Sequence, residues 1–169
     1  MSTRDAAEAV RLRAEHHLDR GEFSLALALC DHASRLDPTY AEVHVTRARG
    51  LGARGELPRA LQALDAADSL ATPSLGSLGL RVLALRGLGR AAEALAVAEE
   101  ALVYAPEHPQ LRRVRGQLRA ELGDRAGAAA DLAPLQAPED KQLDALEAQA
   151  VDALLHGEAA LAENLLDLA

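Results

Sequence analysis

The chain has no tryptophan, no isoleucine, one phenylalanine, two tyrosines and one cysteine among its 169 residues. Each scarcity excludes something. With aromatics at 2%, there is little on which nucleotide bases could stack, and nucleic acid is disfavoured as a partner. Cys30, alone, cannot close an internal disulfide, so the fold does not rely on oxidising surroundings. Strand-favouring residues are few. No apolar run approaches the ~20 residues needed to cross a bilayer. The opening Met1-Ser2-Thr3-Arg4-Asp5 carries an early acid and no apolar stretch after its base, unlike a secretory leader. The expected compartment is the cytoplasm, with no membrane partner.

What is abundant is alanine and leucine, which carry most of a 49% hydrophobic content. Both are strong helix formers, so the expectation is an all-helical protein packed through small residues. The length suits one domain or one solenoid. Basic charge is 17 arginines and the single Lys141, which hints at a GC-rich genome and says little about function.

The chain repeats itself. Gly21, Gly55, Gly89, Gly123 and Gly157 stand 34 residues apart, and Ala26, Ala60, Ala94, Ala128 and Ala162 follow each by five. Seven further on come Ala33, Ala67, Ala101, Leu135 and Ala169. Chance does not keep a glycine column through five units in a chain with 12 glycines. Each glycine falls between two helical stretches, where a left-handed C-terminal cap suits it. The alanine columns lie on the second helix of each unit, letting neighbours approach closely, and larger side chains there would overpack at ~1–3 kcal/mol each. Pro38 and Pro106 close the first and third units, with Pro73 one place late and Pro138 two places early. Thr39 with Glu42, and Asp5 with Glu8, read as capping boxes, and Pro73 and Pro109 suit the first turn of a helix.

The stretch from Gly21 to Pro38, with its Leu36-Asp37-Pro38 ending, resembles the second half of a tetratricopeptide repeat. The resemblance covers five units, 7–40, 41–74, 75–108, 109–142 and 143–169, after a short N-terminal cap segment, 1–6. It implies a right-handed α-solenoid of five antiparallel hairpins, about ten helices. The chain departs from the family where tryptophan is usual early in the first helix, having Val10, His44, Leu78, Arg112 and Leu146. Two units are irregular. Gly76, Gly79 and Gly87 fall in the first helix of the third, each costing ~1 kcal/mol against alanine. Pro134 and Pro138 should stop the second helix of the fourth near Ala133. Ordinary decay of the repeat is the preferred account of that break, a hinge freeing residues 141–169 the sharper one.

The net charge of −8 is not uniform, since residues 131–169 hold nine acids against Lys141 alone. In the first four units, the first helices carry twelve arginines against Glu8, Glu15, Asp19, Glu42 and Glu121. The second helices and their loops carry five bases against fourteen acids. The resemblance implies that first helices line a concave groove, which would then be arginine-rich, with Arg11, Val45, Arg49, Leu80, Leu83, Arg86, Arg113 and Gln117 facing it. Guanidinium forks beside apolar patches suit a peptide bearing carboxylates. Codon bias and solubility would also enrich arginine, though not helix by helix. A further column, Arg13, Arg47, Arg81 and Arg115, stands where the family usually buries leucine, and could face the groove or pack between helices. The two-carboxylate clamp of chaperone-tail adaptors is missing, its places being taken by Arg11, Glu15, Thr46, Gly76 and Leu80.

Other signals carry no chemistry. Gly50-Leu51-Gly52-Ala53-Arg54-Gly55 matches a dinucleotide-binding string but ends a helix and falls on the repeat's own turn. His16 with His17, and Cys30 with His32, are spaced wrongly to share a metal on one helix. No nucleophile sits in a triad or elbow pattern, and Glu99-Glu100 reads as a solvated face. The reading is a non-catalytic adaptor or scaffold without cofactor or metal, holding a protein or peptide partner, acidic in character. The alternative is self-assembly, including a homodimer, through an uncovered last helix bearing Leu161, Leu165, Leu166 and Leu168. A nucleic-acid-binding regulator is the remote third.

Overall fold

The computed structural model describes residues 2–133. They form eight helices and no strand: α1 (Thr3–Asp19), α2 (Phe23–Leu36), α3 (Ala41–Ala53), α4 (Leu57–Asp68), α5 (Leu75–Gly87), α6 (Ala91–Tyr104), α7 (Pro109–Glu121) and α8 (Arg125–Leu132). They fall into two compact units divided between Pro73 and Ser74. The first holds the hairpins α1–α2 and α3–α4, the second α5–α6 and α7–α8.

The turn inside every hairpin is the same device. Gly21, Gly55, Gly89 and Gly123 all take positive φ, from 72° to 91°. In the first, the Gly21 amide donates to the Leu18 carbonyl at 2.9 Å and Glu22 to His17 at 2.8 Å. This pair of bonds satisfies carbonyls the helix end would otherwise leave open. The bond reaching back five residues recurs from Glu56 to Leu51, Arg90 to Leu85 and Asp124 to Arg119. The glycine column is therefore the hairpin turn.

The alanine columns are the core. Ala26, Ala60, Ala94 and Ala128 are buried, as are Ala33, Ala67 and Ala101. In the first unit Ala26 and Ala33 pack with Ala7, Ala14, Leu18, Cys30, Tyr40 and Val43, flanked by Val10, Phe23, Leu29 and Leu36. In the second, Ala101 packs with Leu78, Leu102 and Leu111.

The helix starts differ from expectation. The N-terminal capping box is Ser2 with Asp5, not Asp5 with Glu8. The Asp5 amide donates to Ser2 Oγ at 3.1 Å and the Ser2 amide to Asp5 Oδ2 at 2.7 Å. Residues 3–6 are consequently the first turn of α1. Thr39 caps nothing: its amide and hydroxyl both donate to Asp37 Oδ1, at 2.9 and 2.7 Å, and Tyr40 precedes α3 without a side-chain cap. Asp37 wins because the Leu-Asp-Pro ending puts its carboxylate under that amide. Pro109 does open α7, whereas Pro73 lies outside α5, which Ser74 caps. Gly76, Gly79 and Gly87 lie in α5, and α8 stops at Leu132, before Pro134. The fifth unit, the 134–138 break and the candidate leucines Leu161, Leu165, Leu166 and Leu168 lie outside the described residues.

Candidate functional site

The first helix of each hairpin carries the residues singled out above, and each unit presents its own face. In the first unit α1 lies beside α3. Arg11 leaves α1 half-buried, donating to the Tyr40 hydroxyl at 3.1 Å and to Glu15 at 2.5 Å. Burial works against its charge, but the Tyr40 and Glu15 oxygens outweigh that and hold its pKa above the usual arginine value. Thr46 of α3 donates to the same Glu15 at 3.4 Å. Arg49, one turn beyond Val45, crosses to pair with Asp19 of α1.

At the edge of this face, the guanidinium of Arg4 stands 4.4 Å from the Tyr40 ring centroid and that of Arg11 5.8 Å. Arg4 also pairs with Asp37 at 2.6 Å. Asp37 is held below the usual carboxylate range by the Thr39 bonds and then by Arg4, with burial opposing.

In the second unit, Arg86 of α5 spans to α7. Its Nη1 donates to Gln117 Oε1 at 2.7 Å, and its Nε and Nη2 to Glu121 Oε1 at 3.2 and 2.7 Å. Leu80 and Leu83 are half-buried on α5, and Arg113 is half-buried on α7. Of the eight expected residues, three lie in the first unit and five in the second. Direct bonding joins Arg86 with Gln117.

Neither unit's face is a row of unopposed arginines. Arg11, Arg49 and Arg86 each hold a carboxylate on their own or the adjoining first helix. A charge count saw the twelve arginines and could not see that Glu15, Asp19 and Glu121 stand within reach of three of them. Tyr40 was missed as well, because it precedes α3 rather than lying in it. Two members of the separate arginine column turn away from the first helices: Arg47 donates to Asp31 and Ser34 of α2, at 2.7 and 3.3 Å, and Arg115 to Asp131 of α8.

Among the described residues, no three His, Cys, Asp or Glu side chains are grouped to hold a metal ion. No described helix is long and apolar enough to cross a membrane. Gly50 and Gly52 lie inside α3 and Gly55 is its turn, so no strand leads into the Gly-x-Gly string.

Comparison with solved structures identifies the architecture. A tetratricopeptide repeat protein of Parabacteroides merdae superposes with a TM-score of 0.72 at 21% identity, over 97% of this chain and 65% of its own. YrrB, a TPR protein with an unusual peptide-binding site, gives 0.70 at 18%, covering 99% of this chain and 90% of that one. A thermophilic TPR protein of Thermus thermophilus gives 0.65 at 24%, with 95% and 88% covered. The chain has the tetratricopeptide-repeat fold. No protein-family model matches the sequence, and no curated protein is detectably similar to it. This tetratricopeptide-type chain is thus divergent: alanine fills core positions, and the turns, not the aromatics, preserve the period.

Proposed function

We propose that the chain is a non-catalytic protein-interaction module that holds an acidic peptide against its first helices. The observation that carries this reading is the state of Arg49 and Arg86. Their side chains are 45% and 36% exposed, and each is already fixed by a carboxylate across the helix pair. A guanidinium has five N–H donors, so both keep donors for a second carboxylate. A guanidinium held in place loses less side-chain entropy on binding than a free one. Val45 stands one turn before Arg49 and Leu83 one turn before Arg86, so apolar surface lies beside each charge. The peptide that fits alternates acidic and apolar side chains. Internal carboxylates compete for the same arginines, which makes binding moderate and salt-sensitive. The fold shared with YrrB, a TPR protein with an unusual peptide-binding site, supports the reading.

The test is fluorescence polarisation with labelled acidic–apolar peptides and their Asp→Asn, Glu→Gln counterparts. The intact chain is expected to bind the acidic set and not the amide set. Reversing Arg49, Arg86 and Arg113 to Glu should weaken binding ~100-fold or more, given ~1.5–3 kcal/mol per charged hydrogen bond. Equal binding by the triple variant would overturn the proposal.

A further inference from the structure

The end of α6 displays the chemistry that the arginine face is suited to take. Val103 is 76% exposed and Tyr104 64%. Apolar side chains exposed singly are ordinary on a surface, but a neighbouring pair rimmed by charge of one sign marks a contact. Here the rim is acidic. Glu100 is exposed one turn before Tyr104, on the same side of α6. Glu107, just past the helix, keeps 82% of its side chain exposed even while paired with Arg112. No base stands in the last turn of α6, so the negative pole of the helix adds to these carboxylates.

Neither of the two preceding repeats has this group. In the second repeat the places of Glu100, Val103 and Glu107 are taken by Ala66, Ser69 and Pro73, and in the first by His32, Arg35 and Thr39. Leu36, in the place of Tyr104, packs against the core of the first unit. The hairpins of the first two repeats form without an acid, a valine and an acid at these places. In the third repeat all three places turn acidic or apolar together.

The first unit offers the complement. Arg49 gives one N–H to Asp19, and a guanidinium has five. Val45 lies one turn before it, as Glu100 lies one turn before Tyr104. Residues one turn apart stand ~5–6 Å apart on a helix surface, so the two strips match in length. Laid side by side, Glu100 meets Arg49 while Val103 and Tyr104 meet Val45. A tyrosine ring also suits a guanidinium, as Arg4 does over Tyr40 at 4.4 Å within the first unit.

We propose that the partner held at Arg49 is a second copy of this chain, which presents Glu100, Val103 and Tyr104 at the end of its α6. This rests on the acidic–apolar reading of the arginine face and gives its ligand as a folded surface. Each copy carries both halves, so the contact joins unlike surfaces and either closes into a ring or extends.

The test is sedimentation velocity of the whole chain over about a hundredfold range of concentration. Mass should rise with concentration, and excess acidic–apolar peptide should return the chain to monomer. R49E and E100R, each alone, set like charges together and should weaken association ~tenfold or more, with helical circular dichroism unchanged. V103S/Y104S should weaken it as well, through the apolar half of the contact. Mixing R49E with E100R restores opposite charges at every contact between unlike copies and should recover assembly. A wild-type chain monomeric throughout, association that persists in R49E or E100R, or single variants that fail to rescue each other would each overturn the proposal. Fluorescence polarisation on E100R, whose arginine face is unchanged, reads peptide capture alone. Peptide bound by E100R beside a monomeric wild type would overturn self-recognition and leave peptide capture standing. Assembly lost in R49E with no peptide bound by any form would uphold self-recognition and overturn capture of free peptides.

Discussion

Asp131 of α8, 5% exposed, takes Arg115 of α7 through both carboxylate oxygens and receives Arg119 Nη1 on Oδ2 at 3.0 Å. Arg115 holds the carboxyl below its usual range, burial opposing and Arg119 assisting. Replacing Asp131 with Asn takes the anion from Arg115, while Arg119 keeps Glu99 at 3.0 Å, and should cost ~1–3 kcal/mol in urea unfolding at pH 7. A carboxyl whose folded pKa is depressed stabilises fully above its unfolded value of ~3.9 and stops doing so as pH falls through the folded value. The gap between wild type and D131N should therefore shrink as pH falls below about 4. A gap that keeps its pH 7 size throughout acid titration would assign the loss to packing rather than charge.

Two helical glycines should respond oppositely to alanine. Gly79, inside α5, has nothing within 4 Å of an added Cβ, so G79A should stabilise by about 1 kcal/mol through helix propensity. At Gly50 the same gain is offset by Leu18 and Leu27, which an added methyl would have to displace at ~1–3 kcal/mol. G50A should be neutral to destabilising by thermal melting. If both variants stabilised equally, the close approach of α3 to the first hairpin would be wrong.

These positions also mark what a sequence can and cannot disclose. The turn glycines were legible because positive φ is a backbone demand that almost only glycine meets, so the column survives divergence. The alanines were legible because helix contacts set a size limit that recurs each repeat. The end of α8 before Pro134 follows from proline's missing amide. Helix starts were less so: Ser2 and Asp37 accept from the amides of Asp5 and Thr39, the two residues whose own spacing to Glu8 and Glu42 reads equally well as a cap. The arginine face was half legible. Its residues lie on first helices, but Arg49 meets Asp19 across 30 residues of chain and Arg86 meets Glu121 across 35. No local pattern encodes those pairs.

Cys30 should be chemically silent in the native state. Burial pushes its thiol up to about 11, with the nearby charge of Arg47 opposing. An ordinary thiol titrates near ~8.5, so at pH 8 the folded chain holds roughly a hundredfold less thiolate. Disulfide-exchange labelling should be slower than in urea by at least that factor. Because the folded pKa is raised, stability should also decline as pH rises from about 8.5 towards 11. A native rate equal to the unfolded rate would mean that the α1–α2 hairpin opens freely.

The Arg49–Asp19 pair separates binding from folding. Both side chains are more than a third exposed, and such pairs contribute ~0–1 kcal/mol. R49D and D19R should each shift unfolding by ~0.5 kcal/mol or less, and the swapped double variant should melt like wild type. Binding should behave differently. The swap restores an ion pair but moves the positive charge from α3 to α1, away from Val45 and its side of the face. Acidic-peptide affinity should therefore stay reduced in the swap while stability returns. Recovery of both together would mean that charge on either helix serves, and that the position of Arg49 beside Val45 confers no selectivity.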